Sequence, residues 1–270
     1  MNLRIGLFCL LSGLSFTTSA MGAGHFGWFY LSGVVMAAAL LPVVRFGPRN
    51  VLAQFGAIWL AMEIIGLVCV MSEGVLFFPE MRAQLTATLV GGSVNYLVAA
   101  AVMVGLGKVL KLSAGTDEAV PHRSVALAIP MVFVATLSYL IYYEVFGGIA
   151  FQFFTKQYYP HAAEQAMAMG IWFPVYQVGR GLAMTLSMLP IIYTLRLPRW
   201  QAAVVMGLLV WIVGGGAPLL VPNGVMVAAL RYIHIVEIFT QNFSLGVTAV
   251  WLLRPKASKM AITATVATAI

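Results

Sequence analysis

Long runs carrying almost no charge recur along the whole chain, and short stretches holding Gly, Pro and most of the Lys and Arg separate them. A helix needs about 20 mostly apolar residues to cross a hydrocarbon core of about 30 Å. Eight runs meet that demand: 5–22, 24–44, 51–75, 84–107, 124–150, 167–193, 201–221 and 225–253. The runs are continuous and do not alternate with period two, so they read as helices and exclude an outer-membrane barrel. Between them lie turn-forming breaks such as Phe46-Gly47-Pro48, Ser113-Ala114-Gly115, Leu197-Pro198 and Pro222-Asn223-Gly224. The predicted fold is an all-α, polytopic bundle in which residues 1–270 make a single transmembrane domain.

Composition closes off the soluble alternatives. Of 270 residues, 61% are hydrophobic and only 9% charged. Mean hydropathy is +0.96, well above a soluble domain. A globule of this size has too little interior to hide that much apolar surface. The net charge of +7 comes with no basic stripe or nucleic-acid motif, so no nucleic-acid partner is expected. Cys9 and Cys69 both sit in apolar runs, towards opposite membrane faces, which argues against a disulfide.

Lysine and arginine set the orientation. With the N-terminus inside, eleven of the fifteen fall on the cytoplasmic side: Arg4, Arg45, Arg49, Lys108, Lys111, Arg123, Arg196, Arg199, Arg254, Lys256 and Lys259. Arg82 and Lys156 lie outside, and Arg180 and Arg231 lie within helices. This bias follows the positive-inside rule and places both termini in the cytoplasm, with 254–270 as a short tail. The expected location is the cytoplasmic (inner) membrane. The first run can also be read as a cleaved signal, from Arg4, an apolar stretch and Thr18-Ser19-Ala20, which would leave seven helices. Trp28, Phe77, Phe78, Tyr158, Tyr159 and Trp172 are expected to anchor the outer boundary, and Trp200 and Trp251 the inner one. A short interfacial helix is expected within 152–166. The loop 112–123, with Asp117, Glu118 and His122, is too short to be a domain. The two halves share no pattern of polar residues that would mark an inverted repeat.

Ionisable groups inside a bilayer cost about 2.5–3.5 kcal/mol each on insertion scales, so those that persist need a reason. Counted along their runs, Glu63, Asn95, Arg180 and Glu237 all lie about 16–20 Å deep, near the midplane. The last run also carries Arg231, His234, Gln241 and Asn242, which with Glu237 share a helix face of about 140°. Lipid cannot solvate such a face, so it is expected to look into the bundle. Arg180 and Glu237 are level and are expected to pair, while Arg231 is placed to snorkel or to meet Glu144. Val213-Gly214-Gly215-Gly216-Ala217-Pro218 is poor helix material about 20 Å from the inner face. Broken backbone at that depth is tolerated only where protein covers it or water reaches it.

Chemistry-bearing motifs are absent. No HExxH, CxxC, GxSxG, P-loop or GxGxxG occurs in a usable context, and His25, His122 and His161 have no neighbour at metal-ligand spacing. No cofactor, metal or catalytic residue is assigned. The first reading is a small transporter or permease whose solute or proton path passes Glu63, Asn95, Arg180, Arg231, His234, Glu237 and Asn242. The arginines favour a small anionic solute, and His234 beside Glu237 suits proton coupling. Two alternatives stand beside it. One is a non-catalytic membrane subunit or assembly factor, in a homo-oligomer or larger complex, with the polar set only pinning helix register and Gly33 and Ala37 as a docking patch. The other is an intramembrane enzyme acting on a lipid or isoprenoid, with Glu237 and His234 as acid and base. A wet cavity reaching the midplane marks the first, a sealed core the second, and a lateral opening to lipid the third.

Overall fold

The computed structural model describes residues 2–20, 24–114, 120–121, 123–159 and 162–255, and among them every regular element is helical. In chain order these are α1 (Asn2–Leu14), α2 (Phe26–Phe46), α3 (Val51–Phe77), α4 (Pro79–Val109), α5 (Val125–Tyr158), α6 (Ala162–Met169), α7 (Trp172–Ile192), α8 (Arg199–Leu220) and α9 (Ala228–Leu253). Among the described residues, α2, α3, α4, α5, α8 and α9 are long and apolar enough to cross a membrane. α7 has the length, at 21 residues, but buries Gln177, Arg180, Thr185 and Ser187, which makes it more polar than the six. α1 is 13 residues, about 20 Å, and a short 3₁₀ turn at Thr17–Ala20 follows it. The last residues of the expected tail, 256–270, lie outside the described part, as do Asp117, Glu118, His122 and His161.

Eight spanning runs were expected, and among the described residues six helices are long and apolar enough: the first run forms only the 13-residue α1, and the run 167–193 breaks at Gly170 (φ +53°) between α6 and α7. α5 continues past residue 150 to Tyr158, because Phe151 to Phe154 keep it apolar and no breaker intervenes before Pro160. The stripe expected as an exposed docking patch is covered: Ala37 is fully buried, and a Cβ on Gly33 would lie 2.7 Å from the Gly13 carbonyl oxygen of α1. Cys9 and Cys69 are both free.

Helix ends are tied by side chains. Asn50 caps α3, its Oδ1 accepting the Ala53 N–H at 3.0 Å, and buried Gln54 donates to the Val43 and Val44 carbonyls at the end of α2. At this same end of the bundle, four arginines donate to main-chain carbonyls of neighbouring segments. Arg123 reaches Leu252 at 2.6 Å, Arg254 reaches Leu197 at 3.0 Å, Arg196 reaches Ala114 at 3.1 Å, and Arg199 reaches Trp251 while lying 4.3 Å over its ring. Burial, and then the charge of Arg199, pull the Arg254 guanidinium below its ordinary pKa. Four of the basic residues counted to one side of the membrane therefore tie neighbouring segments together at one end of the bundle.

α8 and α9 pack at backbone distance. A Cβ on Gly246 would lie 2.6 Å from the Met206 carbonyl oxygen, so nothing larger fits without moving a helix. Gly246→Ala is expected to destabilise the purified protein by about 1–3 kcal/mol, read as a lower thermal midpoint in detergent. Gly56→Ala, with nothing within 4 Å of the added atom, is expected to leave that midpoint unchanged or slightly raised.

Candidate functional site

A cavity of about 470 Å³ opens among the helix ends opposite the arginine-knit end. Its mouth is formed by Phe78 between α3 and α4, by Met81 in the first turns of α4, by Tyr159 after α5, and by Asn223, Val225 and Met226 between α8 and α9. Asn223 orders that last loop, its Oδ1 accepting the Val225 and Met226 N–H groups at 3.1 and 2.8 Å. The deepest lining residue on α9, Gln241, is about 20 Å along the helix from Ala228, so the cavity reaches mid-depth of a hydrocarbon core.

Widened helical turns shape the wall. Tyr143–Gly147, Phe151–Thr155, Ile212–Gly216 and Phe239–Phe243 each close i→i+5 bonds, and each contributes lining residues. Such turns insert an extra residue and re-aim the side chains that follow, which is why they gather at functional sites. In α5 the wide turn lets the Gly147 backbone approach α9. A Cβ there would lie 3.1 Å from Gln241 Nε2 and 3.3 Å from Glu237 Oε1. Glu144, about one turn before Gly147 in α5, is exposed and lines the cavity.

α8 is broken where its glycines and proline predict. Gly215 leaves the helical conformation (φ 170°, ψ −37°), and Gly214, Gly215 and Pro218 line the cavity. The carbonyls freed by the break are served by side chains of other helices. Ser32 donates to Ala217 O at 2.8 Å, Asn242 to Val210 O at 3.3 Å, and Arg231 to Leu219 O and Leu220 O at 3.4 and 3.3 Å. Arg231 thus caps broken backbone and does not meet Glu144.

On α9 a hydrogen-bonded string faces the cavity. Tyr159 Oη lies 2.6 Å from His234 Nε2, His234 Nδ1 lies 2.7 Å from Glu237 Oε2, and Gln241 Nε2 donates to Glu237 Oε1 at 3.1 Å. With Glu237 ionised, Nδ1 carries the proton and Nε2 of a neutral ring accepts the phenol hydrogen. A proton added to or removed from this string can be passed along it without moving a heavy atom.

Arg180 is the other charged centre. Its guanidinium donates to Glu73 Oε2 at 2.7 Å and to Gln177 Oε1 at 2.9 Å, and lies within 5.8–5.9 Å of the Tyr139, Tyr143 and Tyr176 rings. The carboxylate that meets Arg180 is Glu73 of α3, in place of the expected Glu237, whose two oxygens are taken by His234 and Gln241. Glu73 lies four residues from the end of α3, where counting depth alone assigns it to the interface, so it drew no attention as a partner.

The seven sequence-predicted residues therefore fall into separate groups. His234 and Glu237 line the cavity, while Arg231 and Asn242 hold the broken α8 behind it. Arg180 stands behind Glu73, which does line it. Glu63 accepts from Ser93 at 2.5 Å, and Asn95 accepts from Thr18 at 2.8 Å, both away from the lining. Tyr159, Phe77 and Phe78, expected as interface anchors, pack on each other at the mouth with ring centroids 5.4 and 6.1 Å apart. Among the described residues no three His, Cys, Asp or Glu side chains come together as metal ligands.

The chain matches no protein-family model, no curated protein and no solved structure. Six apolar helices of spanning length among the described residues define the class: an integral, multi-pass membrane protein.

Breaking a buried ion pair by removing one partner leaves the other charge uncompensated. Double-mutant cycles on thermal stability, using Glu73→Gln and Arg180→Gln, are expected to give a coupling above about 1 kcal/mol. The cycle of Arg180→Gln with Glu237→Gln is expected to stay within about 0.5 kcal/mol of zero.

Proposed function

We propose that this chain is a small membrane transporter of the cytoplasmic membrane, with the cavity between α3, α5, α8 and α9 as its solute site and the Tyr159–His234–Glu237 string as its proton-responsive element. The observation carrying this reading is the depth of the cavity. It runs from the loop mouth to about the midplane past ionisable groups, which a scaffold subunit has no use for. A discontinuous helix in the wall supports it, since transporters place solute sites where backbone is unwound and covered by other helices. So does the closure of the far end by arginine–carbonyl bonds, as expected of a carrier open to one side and shut to the other. With the basic end in the cytoplasm, the mouth opens outward.

A second reading draws on one observation. The Tyr–His–Glu string also suits acid–base chemistry on a lipid that enters the cavity, as an intramembrane enzyme would need. A lipid product formed by the purified protein from a membrane extract, and lost in Glu237→Gln, would decide for the enzyme.

Cysteine labelling tests the transport reading. In a background carrying Cys9→Ala and Cys69→Ala, single cysteines replace Met226 at the mouth, Ile238 within the cavity and Met188 in the sealed core. A membrane-impermeant maleimide is expected to label the first two from the same side and to miss the third. A cysteine placed at Val109, exposed near the basic end, is expected to react only from the opposite side. Silence at position 238 from both sides would mean a sealed core and would move the reading to a structural subunit.

A further inference from the structure

Charges inside the cavity do not balance. Glu73, Glu144 and Glu237 all line it, and among the described residues no lysine or arginine does. Arg180 neutralises Glu73 from behind, and the Arg231 guanidinium is turned to the Leu219 and Leu220 carbonyls. Glu237 has only a histidine and an amide as partners, and Glu144 makes no hydrogen bond or ion pair among the described residues. A carboxylate within a membrane-spanning helix is costly unless water or a counter-charge attends it.

The remaining wall is apolar and rich in rings. Phe77, Phe78, Tyr143, Tyr159 and Phe173 line the cavity, and several are edge-on to one another, so that ring faces are left for a guest. Ring faces are negative, and a cation within about 6 Å of a centroid is attracted to them, more strongly when water is excluded. A volume of about 470 Å³ lies in the range that takes a drug-sized organic molecule. Carboxylates without cations, aromatic faces and that volume define one kind of guest.

Taking the cavity as the solute site of the transport reading, the geometry points to an amphipathic organic monocation as its ligand, with Glu144 and Glu237 holding the charge and the Phe77, Phe173 and Tyr143 rings packing the apolar body. This reverses the anionic solute expected from the arginines, because in the folded chain both intramembrane arginines are committed elsewhere.

Two probes of one shape and opposite charge provide the test: tetraphenylphosphonium and tetraphenylborate. Equilibrium binding is measured on the full chain in phosphatidylcholine nanodiscs. Saturable binding of the phosphonium is expected, with the borate at least about tenfold weaker, equivalent to about 1.4 kcal/mol. Glu144→Gln and Glu237→Gln are each expected to weaken the phosphonium by about three- to tenfold while leaving the thermal midpoint near that of the native chain. Equal or tighter binding of the borate would overturn the inference, as would absence of saturable phosphonium binding or indifference to both substitutions. The comparison of probes uses the native chain, so it stands even if a variant fails to fold. Failure here, with position 238 still labelled, would leave the transport reading and remove only the cationic ligand. A silent position 238 would remove the transport reading itself.

Discussion

Hydrocarbon offers a polypeptide no hydrogen bond, and the arrangement of this bundle follows from that single fact. Where α8 loses its helical path at Gly215, the released carbonyls have no water to turn to, and two helices send three side chains to them. Ser32 comes from α2, and Asn242 and Arg231 from α9. Asn242 can approach because Gly214 presents no side chain, its virtual Cβ lying 2.6 Å from the amide nitrogen. With the break repaired from behind, its other side is free to border empty space. The cavity exists because the defect beside it is satisfied elsewhere.

The same economy governs the charges. A guanidinium in the interior of α7 persists because a carboxylate, an amide oxygen and three aromatic faces meet it at once. Such an assembly is neutral overall and rigid, and it fixes α3, α5 and α7 to one another. Glu237 and Glu144 are differently placed, on the open side of the wall, with neutral or absent partners. Position relative to the cavity, not depth in the bilayer, separates the ionisable groups that stabilise the bundle from those available to a guest.

Much of the fold was legible in the sequence because hydropathy reports directly on the solvent a segment will occupy. The all-helical, multi-pass character and the break in α8 were read from it, although eight spanning runs were expected and six of the described helices are long and apolar enough. Pairing was not legible. Arg180 and Glu237 are level along their helices, but level says nothing about azimuth or neighbours, and the wide turn Ala61–Val68 in α3 shifts the register of everything after it, Glu73 included. Tyr159 looked like an interface anchor because aromatic residues near a helix end usually are. Only the fold of the α5 end, carried on by two further wide turns, brings its hydroxyl to His234. The polar face of α9, read as one unit, divides, with His234 and Glu237 toward the cavity and Arg231 and Asn242 toward α8.

The arginine–carbonyl bonds at the basic end carry a consequence for assembly order. Arg123 precedes α5 in the chain, yet its acceptor, Leu252, comes 129 positions later, and Arg199 likewise waits on Trp251. A nascent chain emerging from the ribosome through α8 holds both donors before either acceptor has been synthesised. This seam can therefore be completed only after α9 has been made, and any intermediate that stops at α8 lacks both bonds.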